Sequence, residues 1–264
     1  MPENSNTPTI AVVIAAKNAS QHIGEALESL VAQSRLPDEI IIYDDGSSDE
    51  TSQIAEQFSD RLPMLKLFRD QSCVGISKAR NLANAAVNSD YIAVLDADDL
   101  FDTETVSAYL DFIRQNPDTD LIYADTLIFR DSKHAAKRRN YPEFATSRKA
   151  IRKTLGTPLI PFKHSSMVYR TQSVRELGGY DEALKIKVDI ELFLRFQSRN
   201  KSVRKLNFPA SFHRKHDNQI SRNRIEGMKV YADLLELYEP DPLIRYFLLS
   251  KRLPSELAKF LIRG

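Results

Sequence analysis

An α/β protein with a mostly parallel, Rossmann-like central sheet flanked by helices is what this chain of 264 residues predicts. Three observations carry that prediction. Thr9 to Ala15 is a continuous apolar, β-branched run, the pattern of a strand buried on both faces. A helical pattern and a second strand follow within about 35 residues, the size of a right-handed β-α-β crossover. That second strand and a later one, Tyr91 to Leu95, both end abruptly in aspartates. In open α/β sheets, ligands bind beyond the carboxyl ends of the strands.

Taken in order, the first strand leads into a polar turn at Lys17, Asn18 and Ser20. Ile23, Ala26, Leu27, Leu30 and Val31 then recur at helical spacing and form one apolar face. Glu39 to Tyr43 is the second strand, and Asp44-Asp45-Gly46-Ser47-Ser48-Asp49-Glu50-Thr51 follows it. Ser47 with Glu50 matches a capping box for the next helix, which carries Ile54 and Phe58. Leu65 to Phe68 reads as a short third strand. Gly75 opens a turn, and Ile76, Ala79, Ala83 and Ala86 make a small-residue helix face suited to close packing on a sheet. Lys78, Arg80 and Asn81 lie on or beside that helix.

The fourth strand, Tyr91 to Leu95, delivers Asp96, Asp98 and Asp99. Three carboxylates at the end of an apolar strand are electrostatically costly unless a positive partner is present. A divalent metal with oxygen ligands supplies one; a solvated turn with an aspartate as helix N-cap is the plainer reading. A helix through Val106, Tyr109, Leu110 and Ile113 stops near Pro117, and Leu121 to Phe129 reads as a strand. Residues 130–153 are basic without clear periodicity, which predicts a loop or mobile flap. Met167 to Tyr169 suggests a strand, Gly178 to Asp181 a turn, and Ile190, Phe193, Leu194 and Gln197 a helix from about Asp189. Residues 203–212 read as extended. An amphipathic helical region begins near Arg224 and turns at Pro240-Asp241-Pro242.

Composition narrows the function classes. The chain is 42% hydrophobic and 28% charged, the balance of an ordinary globular protein, and its net charge of +1 gives no reason to expect a nucleic-acid partner. Cys73 is the one cysteine, which excludes an intramolecular disulfide and fits a reducing compartment. The polar stretch Met1 to Pro8 lacks the apolar segment of a secretory signal. A cytoplasmic location is therefore expected. Charge is unevenly spread: residues 201–264 hold 13 Lys/Arg against 7 Asp/Glu, and residues 131–153 hold 8 against 2. The basic, amphipathic C-terminal region would either pack on the domain or make peripheral contact with the inner face of a membrane.

Together these segments resemble glycosyltransferase family 2, inverting enzymes of the GT-A fold. The resemblance is carried by Val-Ile-Ala-Ala-Lys-Asn at 13–18, Asp-Asp-Gly-Ser-Ser-Asp-Glu-Thr at 44–51, Gly-Ile-Ser-Lys-Ala-Arg-Asn at 75–81 and Leu-Asp-Ala-Asp-Asp at 95–99. It continues through His-Ser-Ser-Met-Val-Tyr-Arg at 164–170, Gly-Gly-Tyr-Asp-Glu at 178–182 and Arg-Lys-His-Asp-Asn-Gln-Ile-Ser at 214–221. Each piece alone is weak; their shared order and spacing, over most of residues 9–221, is specific.

The resemblance implies metal-dependent transfer of a sugar, with inversion, from a nucleoside-diphosphate sugar (a UDP-sugar favoured). The acceptor would be a hydroxyl of a glycan or lipid-linked molecule in cell-surface polysaccharide synthesis. It implies Asp98 as direct ligand to Mn²⁺ or Mg²⁺, Asp96 toward the ribose or a metal-bound water, and Ala97 between them. His216 is either a further metal or diphosphate contact or an exposed loop histidine. Asp99 would bind sugar hydroxyls or cap a helix. Ala15, Lys17 and Asn18, with Asp45 first and Asp44 second, would form the base pocket, because strand alternation points only one of the two carboxylates inward. Arg80 and Asn81 would contact phosphate and ribose, with Lys78 behind them. His164, Ser165 and Ser166 would line the acceptor side.

Asp189 stands where the family places its catalytic base, unless it is only an N-cap. Val188 replaces the glutamate usual before it, which leaves room for a relocated base or for a non-catalytic sugar-nucleotide-binding relative. A nucleotidyltransferase would share the sheet but usually carries a glycine-rich loop after the first strand, and Ala15 to Ala19 has none. The G-x-G-x-x-G of a dinucleotide-binding dehydrogenase is absent. The implied division is a sugar-nucleotide-binding half at 1–125, an acceptor-binding half at 126–221 and a helical extension at 222–264.

Overall fold

The first apolar run forms β1 (Ile10–Ala16) in the computed structural model, which describes residues 7–130, 132–157, 160–215 and 224–263, the last segment with side chains for 226–252. β1 is buried on both faces, as its β-branched pattern predicts. Ile10, Val12 and Ile14 pack with Leu27 and Leu30 of α1 (Ile23–Val31) and with Val106 and Leu110 of α4 (Thr105–Gln115). Ala11 and Val13 belong to the opposite layer, with Ala79 and Ala83 of α3 (Ile76–Ala85). Full burial of each such Ile, Leu or Val side chain stabilises by roughly 1.5–3 kcal/mol.

Parallel pairing joins β3 (Leu65–Arg69), β2 (Glu39–Asp44), β1 and β4 (Tyr91–Val94) in that spatial order. Val12 sits opposite Ile40 on one side and Ala93 on the other. The chain runs outward from β1 to β2 and β3, then returns to place β4 on the other side of β1. That reversal opens a crevice at the carboxyl ends of β1 and β4. The sheet continues through β8 (Met167–Arg170), β6 (Leu121–Phe129), β9 (Val203–Arg214) and β5 (Leu100–Phe101), with β7 (Lys137–Arg139) along β6. β8 and β5 run antiparallel to their neighbours, while β6 and β9 are parallel across a register shift. β6 crosses residue 125, so the two halves of the chain share one sheet.

The remaining helices are α2 (Thr51–Glu56), α5 (Ser147–Gly156), α6 (Thr171–Glu176), α7 (Val188–Ser198), α8 (Arg224–Tyr238) and α9 (Pro242–Arg263). The C-terminal helices close the α3 side of the core through Val230, Tyr231, Leu234, Leu235 and Leu248.

Two sequence expectations are corrected. Residues 130–153 are not a featureless flap: they hold β7 and most of α5. The α5 N-cap is Thr146, whose hydroxyl accepts from Lys149 N, and only Ala150, Thr154 and Leu155 are buried. That stripe is too narrow and too polar to register as amphipathic periodicity. The capping box at Ser47 and Glu50 does not form. Instead the Asp49 carboxylate accepts from Thr51 N at 3.1 Å and from Thr51 Oγ1 at 2.5 Å, while Ser47 turns to Asn18.

Candidate active site

The turns that follow β1 and β2 are stitched together at the carboxyl edge of the sheet. Asn18 N donates to Ser47 Oγ at 2.8 Å, Ala19 N to Thr51 Oγ1 at 2.8 Å and Ser20 N to Asp49 Oδ2 at 3.1 Å. Asn18 returns the contact by accepting from Ser48 N, and it takes φ 47°, the left-handed region that asparagine tolerates. Ala15 is half-buried at the end of β1, and Lys17 and Asn18 are exposed beyond it.

Asp44 and Asp45 are both buried, for different reasons. Asp44 anchors its own turn, accepting from Ser47 N at 2.9 Å and from the Ser52 hydroxyl. Asp45 reaches across to the entry of α3, accepting from Val74 N at 2.6 Å, Gly75 N at 3.1 Å and Cys73 Sγ at 3.2 Å. Lys17 leans on the same group: hydrogen bonding to Cys73, with the charges of Cys73 and Asp45, raises its ammonium above the ordinary range. Gly46 lets these segments meet. It has φ +67°, and a Cβ there would lie 2.8 Å from the Ser72 carbonyl carbon.

Asp96 and Asp98 are half-buried after β4, Ala97 is buried between them, and Asp99 is buried behind. Asp96 Oδ1 accepts from Arg80 Nη2 at 2.8 Å and lies 2.9 Å from His164 Nδ1. Burial alone would raise the Asp96 carboxyl, but the His164 and Arg80 charges outweigh it and hold the group well below the usual carboxylate range. His164 Nε2 lies 2.8 Å from the Tyr180 hydroxyl, which is 3.1 Å from that of Tyr169. Asn84 Nδ2 ends this buried chain on Tyr169 at 3.2 Å. Arg80 stacks over Tyr180; burial opposes its charge, while Asp96, Tyr180 and Asp189 sustain it. Asp189 is thereby brought into the electrostatic reach of the cation that grips Asp96.

Asp189 is half-buried in the first turn of α7. It is not the N-cap: that position is Lys187, at φ 58°. Val188 is buried in the core, where a glutamate would need a partner. Lys78 is exposed on α3. Asn81 is committed to the turn before α7: its Oδ1 accepts from Tyr180 N at 2.7 Å, and its Nδ2 donates to Tyr180 O at 2.9 Å.

Asp99 neither binds at the open surface nor caps a helix. It accepts from Ser165 Oγ at 2.5 Å and Arg214 N at 2.9 Å, and it lies 3.1 Å from His213 Nδ1. The expected acceptor-side trio is likewise buried. His164 and Ser165 support the aspartates from beneath, while Ser166 Oγ donates to Lys163 O at 2.8 Å. Tyr180, His213 and Arg214 escaped the sequence reading of the site. Their signal was position inside the quoted motifs at 178–182 and 214–221; His213 directly precedes the second.

For a divalent cation, the chemistry of the donor set is the test. Asp96 and Asp98 present hard carboxylate oxygens at one strand end, and Mg²⁺ is held by one or two carboxylates with phosphates and water completing its shell. No cluster of three His, Cys, Asp or Glu suited to a metal occurs among the described residues, and His216 lies outside them. The carboxylate pair fits a cation shared with a diphosphate rather than a closed protein cage.

The family model described as Glycosyl transferase family 2 matches residues 11–178. The succinoglycan biosynthesis protein ExoU of Rhizobium meliloti (strain 1021) is 28% identical over 267 residues, 94% of this chain and 71% of that protein. The chondroitin synthase of Escherichia coli is 27% identical over 219 residues, 83% of this chain and 29% of that protein. EpsE of Bacillus subtilis (strain 168) is 27% identical over 200 residues, 72% of this chain and 66% of that protein. This chain thus spans less than two thirds of the length of the last two relatives. S. aureus TarS 1–349, solved in complex with UDP-GlcNAc, aligns with a TM-score of 0.70 at 20% identity, over 93% of this chain and 71% of that one. That likeness establishes the GT-A fold.

Proposed function

The chain belongs to glycosyl transferase family 2, and from that premise we propose that it transfers a sugar, with inversion, from a nucleoside-diphosphate sugar to a hydroxyl of a glycan or lipid-linked acceptor. A UDP-sugar is the favoured donor, since the structural neighbour TarS was solved with UDP-GlcNAc. Cell-surface polysaccharide synthesis is the favoured setting, in line with the names of the succinoglycan and chondroitin relatives. The observation that carries the reading is electrostatic. One half-buried guanidinium, Arg80, draws on both Asp96 at the end of β4 and Asp189 at the start of α7. In this reading a donor-binding edge and a prospective base lie within the electrostatic reach of one cation.

In this reading the base lies over Ala15, Lys17 and Asn18. Asp45 accepts from the base N–H with capacity left beyond its bonds to Val74 and Gly75. Asp96, locked by Arg80 and His164, faces the ribose. Arg80 and Asn81 take positioning roles in place of the direct contacts expected from sequence, since both side chains are already engaged within the protein. Lys78 remains the exposed cation beside the diphosphate. Asp98, with Asp96, would hold a Mn²⁺ or Mg²⁺ ion, which when bound neutralises the charge developing on the leaving diphosphate.

Asp189 receives the acceptor hydroxyl proton as that oxygen bonds to the anomeric carbon. The bond from the anomeric carbon to the diphosphate oxygen breaks on the opposite face, and its electron pair leaves with the nucleoside diphosphate. Configuration therefore inverts. Residues 1–125 serve the donor and 126–221 the acceptor, the latter also bracing the donor-side aspartates through His164 and Ser165.

Purified protein supplied with Mn²⁺ and a panel of UDP-, GDP- and dTDP-sugars tests this. The expectation is selective binding and slow hydrolysis of one UDP-sugar. Failure to bind any member of the panel would sink the transferase reading.

A further inference from the structure

α8 and α9 meet at a corner formed by Pro240, Asp241 and Pro242, and its outer side is apolar. Leu237 is 68% exposed, Leu243 81%, Tyr246 76% and Phe247 53%. The other large hydrophobics exposed among the described residues, Leu36, Phe68 and Leu82, are each at most 40% exposed and lie on separate segments. The corner itself is firmly seated. Asp241 Oδ1 accepts from Leu243 N at 2.9 Å, and Arg152 Nε donates to buried Glu239 at 2.7 Å. Leu248, buried, packs so close to the end of α5 that a Cβ on Gly156 would lie 2.7 Å from it. Arg252 donates to Thr157 O at 3.1 Å and lies under the Tyr231 ring. Exposure of the apolar residues is therefore built into the packing.

Cations border this patch. Lys251 Nζ lies 4.3 Å from the centroid of the Phe247 ring. α5, which packs against α9, exposes Arg148, Lys149 and Lys153. The exposed acids nearby, Asp233 and Glu236, lie on α8 before Leu237. A second copy would bring the same cations to the contact along with the acids of α8. An anionic bilayer instead offers phosphates to the lysines and arginines and an acyl boundary to Leu243, Tyr246 and Phe247.

We propose that the α8–α9 corner docks this protein on an anionic lipid bilayer as a peripheral surface contact. The contact stands apart from the transferase reading, because it is measured without sugar or nucleotide.

Flotation of the full chain with vesicles of phosphatidylcholine, alone or with added phosphatidylglycerol, tests it. Recovery is expected with the anionic vesicles. Leu243→Ser combined with Phe247→Ser should lower partitioning at least about tenfold. Lys153→Glu combined with Lys251→Glu should lower it for the anionic vesicles by a similar factor. Both variants alter exposed side chains, and unchanged thermal unfolding would verify their fold. The proposal is overturned if wild-type protein floats with neither vesicle, or if the double serine variant floats as well as wild type. Concentration-dependent dimerisation that is lost in the serine variant, without vesicle binding, would overturn it in favour of a second copy.

Discussion

Asp189 and Glu39 are carboxylates of similar chemistry with different prospects. Asp189 is half-buried in the first turn of α7, within reach of the Arg80 charge. As the proposed base it should tolerate Asp189→Asn in donor binding while transfer falls by about 10²–10⁴. Titration with the donor beside a turnover assay separates the two effects, and an active Asn variant would place the base elsewhere. Glu39 lies at the opposite edge of the sheet, accepting from Ser89 N, Ser89 Oγ and Asn88 N at 2.7–2.9 Å. Burial alone would raise its carboxyl, but these bonds and Lys66 hold it down to about 2 from 4.5. A depressed carboxylate contributes stability that is full above its unfolded pKa and lost as pH falls through the folded one. Stability should therefore drop between about pH 4.5 and pH 2, by on the order of 2–3 kcal/mol from this group. Denaturant midpoints across that window should be flatter for Glu39→Gln.

Among the elements, the turn after β2 is where conformation and chemistry meet. Gly46 has φ +67°, and a Cβ would meet backbone at 2.8 Å. Gly46→Ala should cost about 1–3 kcal/mol in stability. Because residues 72–75 would have to move away from Asp45, donor affinity should fall as well; calorimetric binding beside urea unfolding would show whether the two losses come together. Strands were the most legible elements. The β1, β2 and β6 runs stand near their expected bounds because two-sided burial leaves continuous apolar stretches. α5 and α6 are the least legible, since short helices with a three-residue buried stripe carry little periodicity.

For the whole molecule, the proposed donor-binding residues lie on segments far apart in the chain, from Asn18 to Asp98, so ligand should stabilise the fold globally. UDP at a hundredfold excess over its Kd contributes about 2.7 kcal/mol. For a domain of this size that should raise Tm by about 5 °C or more with Mn²⁺ present. Asp98→Asn should remove the part of the increment that depends on Mn²⁺, and differential scanning fluorimetry with and without chelator reads both. A wild-type increment in the variant would remove Asp98 as the ligand.

The sequence by itself determined the order of the longer strands and helices, the aspartates at the ends of β2 and β4, and the family, because burial periodicity and short motifs are local properties of the chain. Tertiary structure alone decided what each carboxylate touches. His164 meets Asp96 across 68 residues, and His213 meets Asp99 across 114. Such pairings follow from sheet order: β8 inserts beside β4, and β9 runs along β6 back to β5. No local pattern encodes that order. Arg80 and Asn81 read from sequence as ligand contacts, and Ser165 as an acceptor residue; the sheet also places a protein partner against each.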